Sequence, residues 1–183
     1  MLVETLVASH ADYAWEEWLL PGPDRVARLE PLVRLDIELV ALPAGEVWML
    51  DGGASVAVWQ QPGVAAPGPG VLRRLDRAAN VAFGARLGAL QEVEDLVHAM
   101  RPPEPHWYLG TIGTLAGHRR QGCGTAVLSP VLDHLDHIGA TAYLETSAAE
   151  NLAFYERLGF VVVAALEGLP HGAPDTWGMQ RPP

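Results

Sequence analysis

Apolar side chains recur at helical spacing in the first part of the chain. In residues 1–20 they stand three or four positions apart, which predicts a helix that Pro21-Gly22-Pro23 ends. A second helix is predicted from a capping Asp24 to about Leu42, because its aliphatic residues keep the same spacing. Residues 71–100 predict one or two further helices, which the prolines that follow bring to an end.

The remaining pattern is typical of strands. Residues 46–50 and 54–60 are short apolar runs, and Asp51-Gly52-Gly53 between them predicts a hairpin. From residue 106 onward strands and helices alternate, with strands at 106–115, 141–146, 160–166 and 176–180 and helices at 122–138 and 151–158. An antiparallel hairpin followed by crossover helices predicts a mixed α/β sheet. The 183 residues suffice for one domain, residues 1–183, and are too few for two ordinary ones.

Charge and composition exclude several classes of function. The chain carries 22 acidic and 12 basic residues, for a net charge of −10, and all of its basic residues are arginines. Without lysine there is no Walker-type phosphate loop and no Schiff-base chemistry. The acidic balance argues against nucleic acid as a partner and favours a cationic substrate such as an amine. Abundant Ala, Gly, Pro and Arg without Lys suggest a bacterial genome of high GC content.

The same features bear on where the protein works. No run of about 18 apolar residues exists, so we expect no membrane span. Cys123 is the only cysteine, which excludes an internal disulfide and favours a reducing, cytoplasmic location. The first residues lack a basic region, so we do not interpret them as a signal peptide.

A glycine-rich turn carries the clearest chemical signal. Residues 119–126, with the sequence RRQGCGTA, stand between a predicted strand and a predicted helix. Glycines let the backbone approach a ligand, and the free N–H groups and dipole of a helix start favour a phosphate. A Rossmann fingerprint would need glycine where Val127 stands, so the pattern R-x-x-G-x-G remains. An ordinary strand-to-helix turn is the alternative.

A second motif lies downstream. Leu144-Glu145-Thr146-Ser147 is followed by Asn151 and by the run FYERLGF at 154–160. Together with R-x-x-G-x-G, these residues resemble the GNAT superfamily of N-acetyltransferases. Within it, the chain resembles the puromycin-type enzymes over nearly its whole length. That similarity is carried by the glycine loop and by residues 11–13, 46–48, 54–59 with Pro62, 101–107, 144–148, 151–152, 154–160 and 176–179.

The resemblance implies a fold and a cofactor. The fold would be a mixed, mostly antiparallel sheet with a V-shaped splay between two parallel strands, flanked by helices. Acetyl-CoA would be the co-substrate, with no metal. Its pyrophosphate would sit on backbone N–H groups of Arg119, Arg120, Gln121, Gly122, Cys123, Gly124 and Thr125, its pantetheine arm would pair with Ile112, Gly113 and Thr114, and Asn151 and Tyr155 would approach the arm and the sulfur.

The chain departs from the family pattern in two places. Thr114-Leu115-Ala116 replaces the usual V-x-P before the glycine loop. Family members also begin with a strand, whereas this chain starts inside the helix that follows it. Either the true start lies upstream or the sheet lacks its first strand, and an unpaired sheet edge would invite a homodimer.

The implied reaction is direct attack of a primary amine on the acetyl thioester. Tyr155 is the candidate acid for the departing thiolate, with aromatic packing as the alternative. Glu145 is the candidate base, acting directly or through water, with a structural acceptor role as the alternative. Tyr13, Trp59 and Glu145 are the candidate residues of the acceptor pocket, where core packing is the alternative for the two aromatic residues.

Three functions remain in competition. The first is acetylation of a small-molecule amine, such as a puromycin-like aminonucleoside or another amine antibiotic or metabolite, which would give antibiotic resistance. The second is acetylation of proteins or peptides. The third is an acyl-CoA-binding module without catalytic activity, which the missing first strand alone favours.

Overall fold

One sheet of six strands forms the centre of the protein. The computed structural model describes residues 1–183, the side chain of Ala44 excepted. The strands are β1 (Glu46–Leu50), β2 (Ser55–Gln60), β3 (Trp107–Thr114), β4 (Ala142–Thr146), β5 (Val161–Leu166) and β6 (Thr176–Arg181), in the order β1-β2-β3-β4-β6-β5. Every pair is antiparallel except β3 with β4. The predicted mixed, mostly antiparallel sheet is therefore confirmed.

The parallel pair separates soon after it begins. β4 pairs with β3 only from Trp107 to Leu109, whereas β2 follows β3 as far as Thr114. The register between β2 and β3 shifts at Val58/Trp59, so that Gly110 is left out of the pairing as a bulge. Past Leu109, the side of β3 that faced β4 is open. This opening is the predicted V-shaped splay.

Eight helices flank the sheet in the described chain. Their bounds are α1 (Leu2–His10), α2 (Ala14–Leu19), α3 (Arg25–Asp36), α4 (Leu42–Ala44), α5 (Pro69–Phe83), α6 (Leu87–Ala99), α7 (Cys123–Ile138) and α8 (Leu152–Glu156). The apolar stripe of α7 packs on the sheet face that carries Leu144 and Met179. α1 and the π-helical turn after α3 cover Val56 and Val58 on the other face. Both faces of the sheet are thus buried near β2.

The predicted first helix is broken in two. α1 ends at His10, and Tyr13 adopts extended backbone angles (φ −81°, ψ 138°) before α2 begins. The cause is a distant contact, because the Tyr13 hydroxyl is hydrogen-bonded at the end of β4. Residues 71–100 likewise form two helices, divided at Gly84, whose φ is +52°.

The sheet starts at the β1–β2 hairpin, and within the described residues the chain before it is helical apart from its turns. β1 therefore forms one edge, with Trp48 and Met49 exposed. The homodimer expected from such an edge stays a prediction. Among the described residues, no helix combines the length and the apolarity needed to cross a membrane.

Candidate active site

The divergence of β3 and β4 opens a cleft of about 1040 Å³. Its walls come from the end of α1, residues 12–16, the end of α6, the outer half of β3, the glycine loop, the end of β4 and α8. Pockets for single small molecules are typically about 300–1,000 Å³. The cleft is therefore large enough for two substrates side by side.

At one end of the cleft, α7 begins with its N-terminus exposed. Gly122 occupies the N-cap position with φ +84°, a left-handed conformation that favours glycine. The N–H groups of Cys123, Gly124 and Thr125 come first in the helix and have no intrahelical acceptor. A Cβ on Gly124 would stand 3.3 Å from the Phe154 ring, so glycine lets α8 pack closely here. This end has the form of an anion site.

Arginines surround that site. Arg119 donates from Nη2 to the Ser9 carbonyl (3.0 Å) and from Nε to the Thr114 carbonyl (3.2 Å), which ties α1 to the end of β3. Arg120 is exposed and also lines the cleft, as does Arg157. This end of the cleft is therefore positively charged.

The outer half of β3 forms one wall. Ile112, Gly113 and Thr114 line the cleft, and β4 does not pair with them. A Cβ on Gly113 would collide with Ser9 Oγ, so only glycine lets α1 cross this close to β3. The Ser55 hydroxyl holds the strand from its other side by donating to the Gly113 carbonyl at 3.1 Å.

Tyrosines occupy the middle of the cleft. Tyr155 lines it while only 5% exposed, and burial raises the pKa of its hydroxyl above the usual range. The Tyr13 hydroxyl accepts the Ser147 N–H at 2.6 Å and is hydrogen-bonded to Thr146 Oγ1 at 3.1 Å. Burial also raises the pKa of Tyr13. Asn151 lies beside them, with its Nδ2 3.5 Å from Thr146 Oγ1.

Glu145 is held in a network of charged hydrogen bonds. Arg101 donates to its two oxygens, from Nε to Oε1 at 2.6 Å and from Nη2 to Oε2 at 3.2 Å. The Tyr108 hydroxyl donates to Oε2 at 2.6 Å, and the Arg101 guanidinium lies 4.2 Å from the Tyr108 ring centre. Burial and the nearby carboxylate raise the pKa of Tyr108 well above its usual range. The Glu145 side chain is only 9% exposed.

Comparison with known proteins agrees with this geometry. Residues 84–160 match the model of the acetyltransferase (GNAT) family. A Corynebacterium glutamicum structure described as "histone acetyltransferase HPA2 and related acetyltransferase" is 28% identical with a TM-score of 0.72, over 100% of this chain and 89% of that one. A Desulfovibrio desulfuricans protein described as a GNAT-family acetyltransferase is 18% identical with a TM-score of 0.55, over 99% and 90%.

The fold is that of the GNAT acetyltransferases. The segment that matches the family model is less than half of the chain, whereas the similarity to the Corynebacterium acetyltransferase extends over its whole length. Naa20 of Chaetomium thermophilum, solved in complex with a bisubstrate analogue, is 14% identical with a TM-score of 0.50, over 98% of this chain and 80% of that one. At that identity the likeness concerns the fold alone.

Most of the predicted GNAT site residues meet in the cleft. Those that line it are Tyr13, Ile112, Gly113, Thr114, Arg119, Arg120, Gly122, Gly124, Thr125, Glu145, Asn151 and Tyr155. Gln121 and Cys123 belong to the glycine loop without lining the cleft, and Gln121 Nε2 donates to the Gly117 carbonyl at 2.8 Å. What each of these residues binds stays a prediction.

Trp59 requires a correction. It was expected in the acceptor pocket, but it is fully buried in the core and does not line the cleft. Its side chain shares a sheet face with Ala57, Trp107 and Leu109, and that face packs against α7. Alternation along β2 determines which face of the sheet Trp59 lies on. Its aromatic side chain alone does not indicate whether that face is packed against a helix or lines the cleft.

The other end of the cleft holds residues that the sequence reasoning did not select. Glu16, Asp12 and Glu94 make this end acidic, and burial raises the pKa of Glu16 to about 7. A second cavity of about 340 Å³ shares Asp12 with the cleft and adds Asp175. These residues come from separate elements, so no local motif joined them.

Histidines also line the cleft. His10 Nδ1 is 2.8 Å from the Leu6 carbonyl and its Nε2 is 3.4 Å from Thr111 Oγ1. Burial lowers the pKa of His10, helped by the charge of Arg119. Burial also lowers the pKa of His98. No group of three or more histidine, cysteine or acidic side chains suited to a metal occurs among the described residues.

Proposed function

We propose that the protein is an acetyl-CoA-dependent N-acetyltransferase that acts on the primary amine of a small molecule, as puromycin-type enzymes do. One observation carries the proposal. A single cleft runs from a basic helix N-terminus, along an unpaired strand, to an acidic end. Such an arrangement suits an anionic cofactor and a cationic acceptor that meet in the middle.

The cofactor half matches the chemistry of CoA. The first N–H groups of α7 would bind the pyrophosphate, with Arg119 and Arg120 adding positive charge. The free edge of β3 at 112–114 offers backbone donors and acceptors to the amides of the pantetheine arm. CoA would supply the activated acetyl group as its thioester.

The acceptor half matches an amine of modest basicity. An α-amino group with a pKa of about 7.7–8.0 costs only about 1–1.4 kcal/mol to neutralise at pH 7, against roughly 4.6 kcal/mol for a lysine-like amine. The α-amino group of a puromycin-like aminonucleoside belongs to the first kind. The acidic residues at this end would attract its charged form.

Tyr155 is proposed as the acid that protonates the departing thiolate. Its buried hydroxyl keeps its proton at neutral pH, because its pKa is raised. For Glu145, the contacts favour the structural alternative to a base. Arg101 and Tyr108 occupy its oxygens, so its carboxylate holds the end of β4 in place.

The decisive experiment is a thiol-release assay with acetyl-CoA and a panel of acceptors. The panel contains puromycin, other small primary amines, and peptides with a free N-terminus. Release of CoA with puromycin or another small amine is the expected result. Release with peptides alone would replace the proposal with a peptide acetyltransferase. CoA binding without release on any acceptor would leave only an acyl-CoA-binding module.

A further inference from the structure

Glu16 has an unusual environment for a carboxylate. It lines the cleft at its acidic end, yet its Oε2 is shut off from solvent and has no hydrogen-bond partner in the described part of the chain. A buried anion without a donor is costly, whereas a donor that arrives with a positive charge removes much of that cost. The backbone N–H of Glu16 donates to the carboxylate, but nothing in the described part of the chain donates to Oε2, so that oxygen is left for an external cationic donor.

Its position places it beside the centre of the cleft. Glu16 is the third residue of α2, and the N-cap residue of that helix is Tyr13, whose hydroxyl is fixed at the end of β4. Tyr13 lies close enough to interact electrostatically with both Glu16 and Tyr155. Glu16 and the proposed acid Tyr155 are thus both neighbours of Tyr13 and line the same cleft.

The charged neighbours of Glu16 do not supply that donor. Arg25 of α3 is the nearest cation, but its guanidinium already donates to the Ala11 and Leu20 carbonyls and lies 3.5 Å from Glu17. The other ionisable groups that line the acidic half of the cleft are Asp12, Tyr13, Glu94, His98, Tyr108, Arg101 with Glu145, Glu150 and Tyr155. Among them Arg101 is bonded to Glu145 and Tyr108.

We propose that Glu16 binds the ammonium group of the acceptor and takes the proton that must leave before the amine can attack. This assignment rests on the proposed N-acetyltransferase function and names its base. Glu145 is already bonded through both oxygens, and both ring nitrogens of His10 have polar neighbours. Among the carboxylates that line the cleft, Glu16 is the one with an oxygen that is both buried and without a hydrogen-bond partner in the described part of the chain.

One proton of the ammonium passes to the Glu16 carboxylate, and the neutral nitrogen forms a bond to the acetyl carbon. The carbon–sulfur bond breaks, and the thiolate takes the hydroxyl proton of Tyr155. Tyr155 recovers a proton from the nitrogen, which becomes the amide. Glu16 finally releases its proton to solvent, so that the acetyl group has moved from CoA to the amine and one net proton has been released.

The acidity of Glu16 suits this task. Burial raises its pKa to about 7. An α-amino group has a pKa of about 7.7–8.0, so the transfer between the two is nearly balanced. General bases work best when their pKa lies near the working pH.

The test measures kcat/KM for puromycin with acetyl-CoA between about pH 5.5 and 9. Glu16→Gln is compared with the wild type and with Glu17→Gln, which removes an equal charge from the exposed side of the same helix. We expect Glu16→Gln to lower kcat/KM by about 10²-fold near pH 7.5. The fall of kcat/KM on the acid side of the profile, near pH 7, should also disappear in this variant. Glu17→Gln should keep the wild-type profile, and Glu16→Asp should restore this fall in part.

Two outcomes separate the inference from the function on which it rests. Transfer by Glu16→Gln at the wild-type rate and with the wild-type pH profile would overturn the role of Glu16 and leave the N-acetyltransferase intact. No CoA release by the wild type with any amine would overturn both. Acetyl-CoA affinity, measured on each variant, shows that a slow variant is still folded.

Discussion

The two ends of the cleft are built in different ways. The cofactor end consists mainly of backbone: the start of α7, the free edge of β3, and glycines that keep both open. The acceptor end consists of side chains that reach in from α2, α6, β3 and β4. Backbone groups suit a ligand shared by many enzymes, whereas side chains can be exchanged to suit a particular acceptor. If the proposed function holds, we therefore expect acceptor specificity to be determined at the acidic end.

The largest effect is expected where the two ends meet. Tyr155→Phe should lower kcat by about 10²–10⁴-fold, because the thiolate loses its proton donor. The ring should keep its packing against Phe154 and Phe160, whose centres lie 5.1 and 5.9 Å away. Steady-state kinetics measure kcat, and calorimetry should show unchanged affinity for acetyl-CoA. An unaltered kcat would remove Tyr155 as the acid.

Breaking the ion pair between Arg101 and Glu145 at the acceptor end should lower the free energy of unfolding. Arg101→Met leaves the 9%-exposed Glu145 carboxylate without its cation and should cost about 3–5 kcal/mol, as for buried pairs that lose one partner. Urea unfolding measures this loss. Adding Glu145→Gln to Arg101→Met should recover part of it. If the two substitutions are simply additive, the pair does not hold this end together.

Glu16 should make the protein less stable as the pH rises. Its pKa is about 7 when folded and 4.5 in its ordinary state, so the folded form binds the proton more tightly. Stability should therefore fall between those two values, by about 3 kcal/mol in total, and stay low above pH 7.

Glu16→Gln should remove that loss. The variant should be more stable than the wild type at pH 8 and similar to it below pH 4.5. Chemical denaturation across this range measures the difference, with Glu17→Gln as the control for a changed net charge. If Glu16→Gln were more stable than the wild type by the same amount at pH 8 and below pH 4.5, the raised pKa of Glu16 would be contradicted.

The smallest effect is expected from a side chain at the cofactor end. Arg120→Gln should weaken acetyl-CoA binding by about 10-fold, and less at high salt, since backbone groups carry most of the binding. Arg119→Gln should also lower stability, because Arg119 bridges Ser9 and Thr114. Titration calorimetry at two salt concentrations tests both variants. A loss of binding far beyond 10-fold for Arg120→Gln would show that side chains dominate this end as well.

The sequence predicted the backbone-built end of the cleft better than the end built from side chains. The glycine loop was found because Gly122 and Gly124 stand two residues apart at one strand–helix junction. Trp59 was misplaced, since which face of β2 is covered by α7 depends on packing between distant segments. Arg101 lay within a stretch that resembles the puromycin-type enzymes, but its bond to Glu145 spans 44 residues.

The chain alone predicted the order of helices and strands, the hairpin and the glycine-rich turn between β3 and α7. These depend on neighbours a few residues apart, where spacing and backbone preference act directly. Folding supplied the broken first helix, the acidic end and the orphan oxygen of Glu16. Burial and charge coupling depend on which remote segments come together. The pKa of Glu16 is therefore raised only once distant segments come together and bury its side chain.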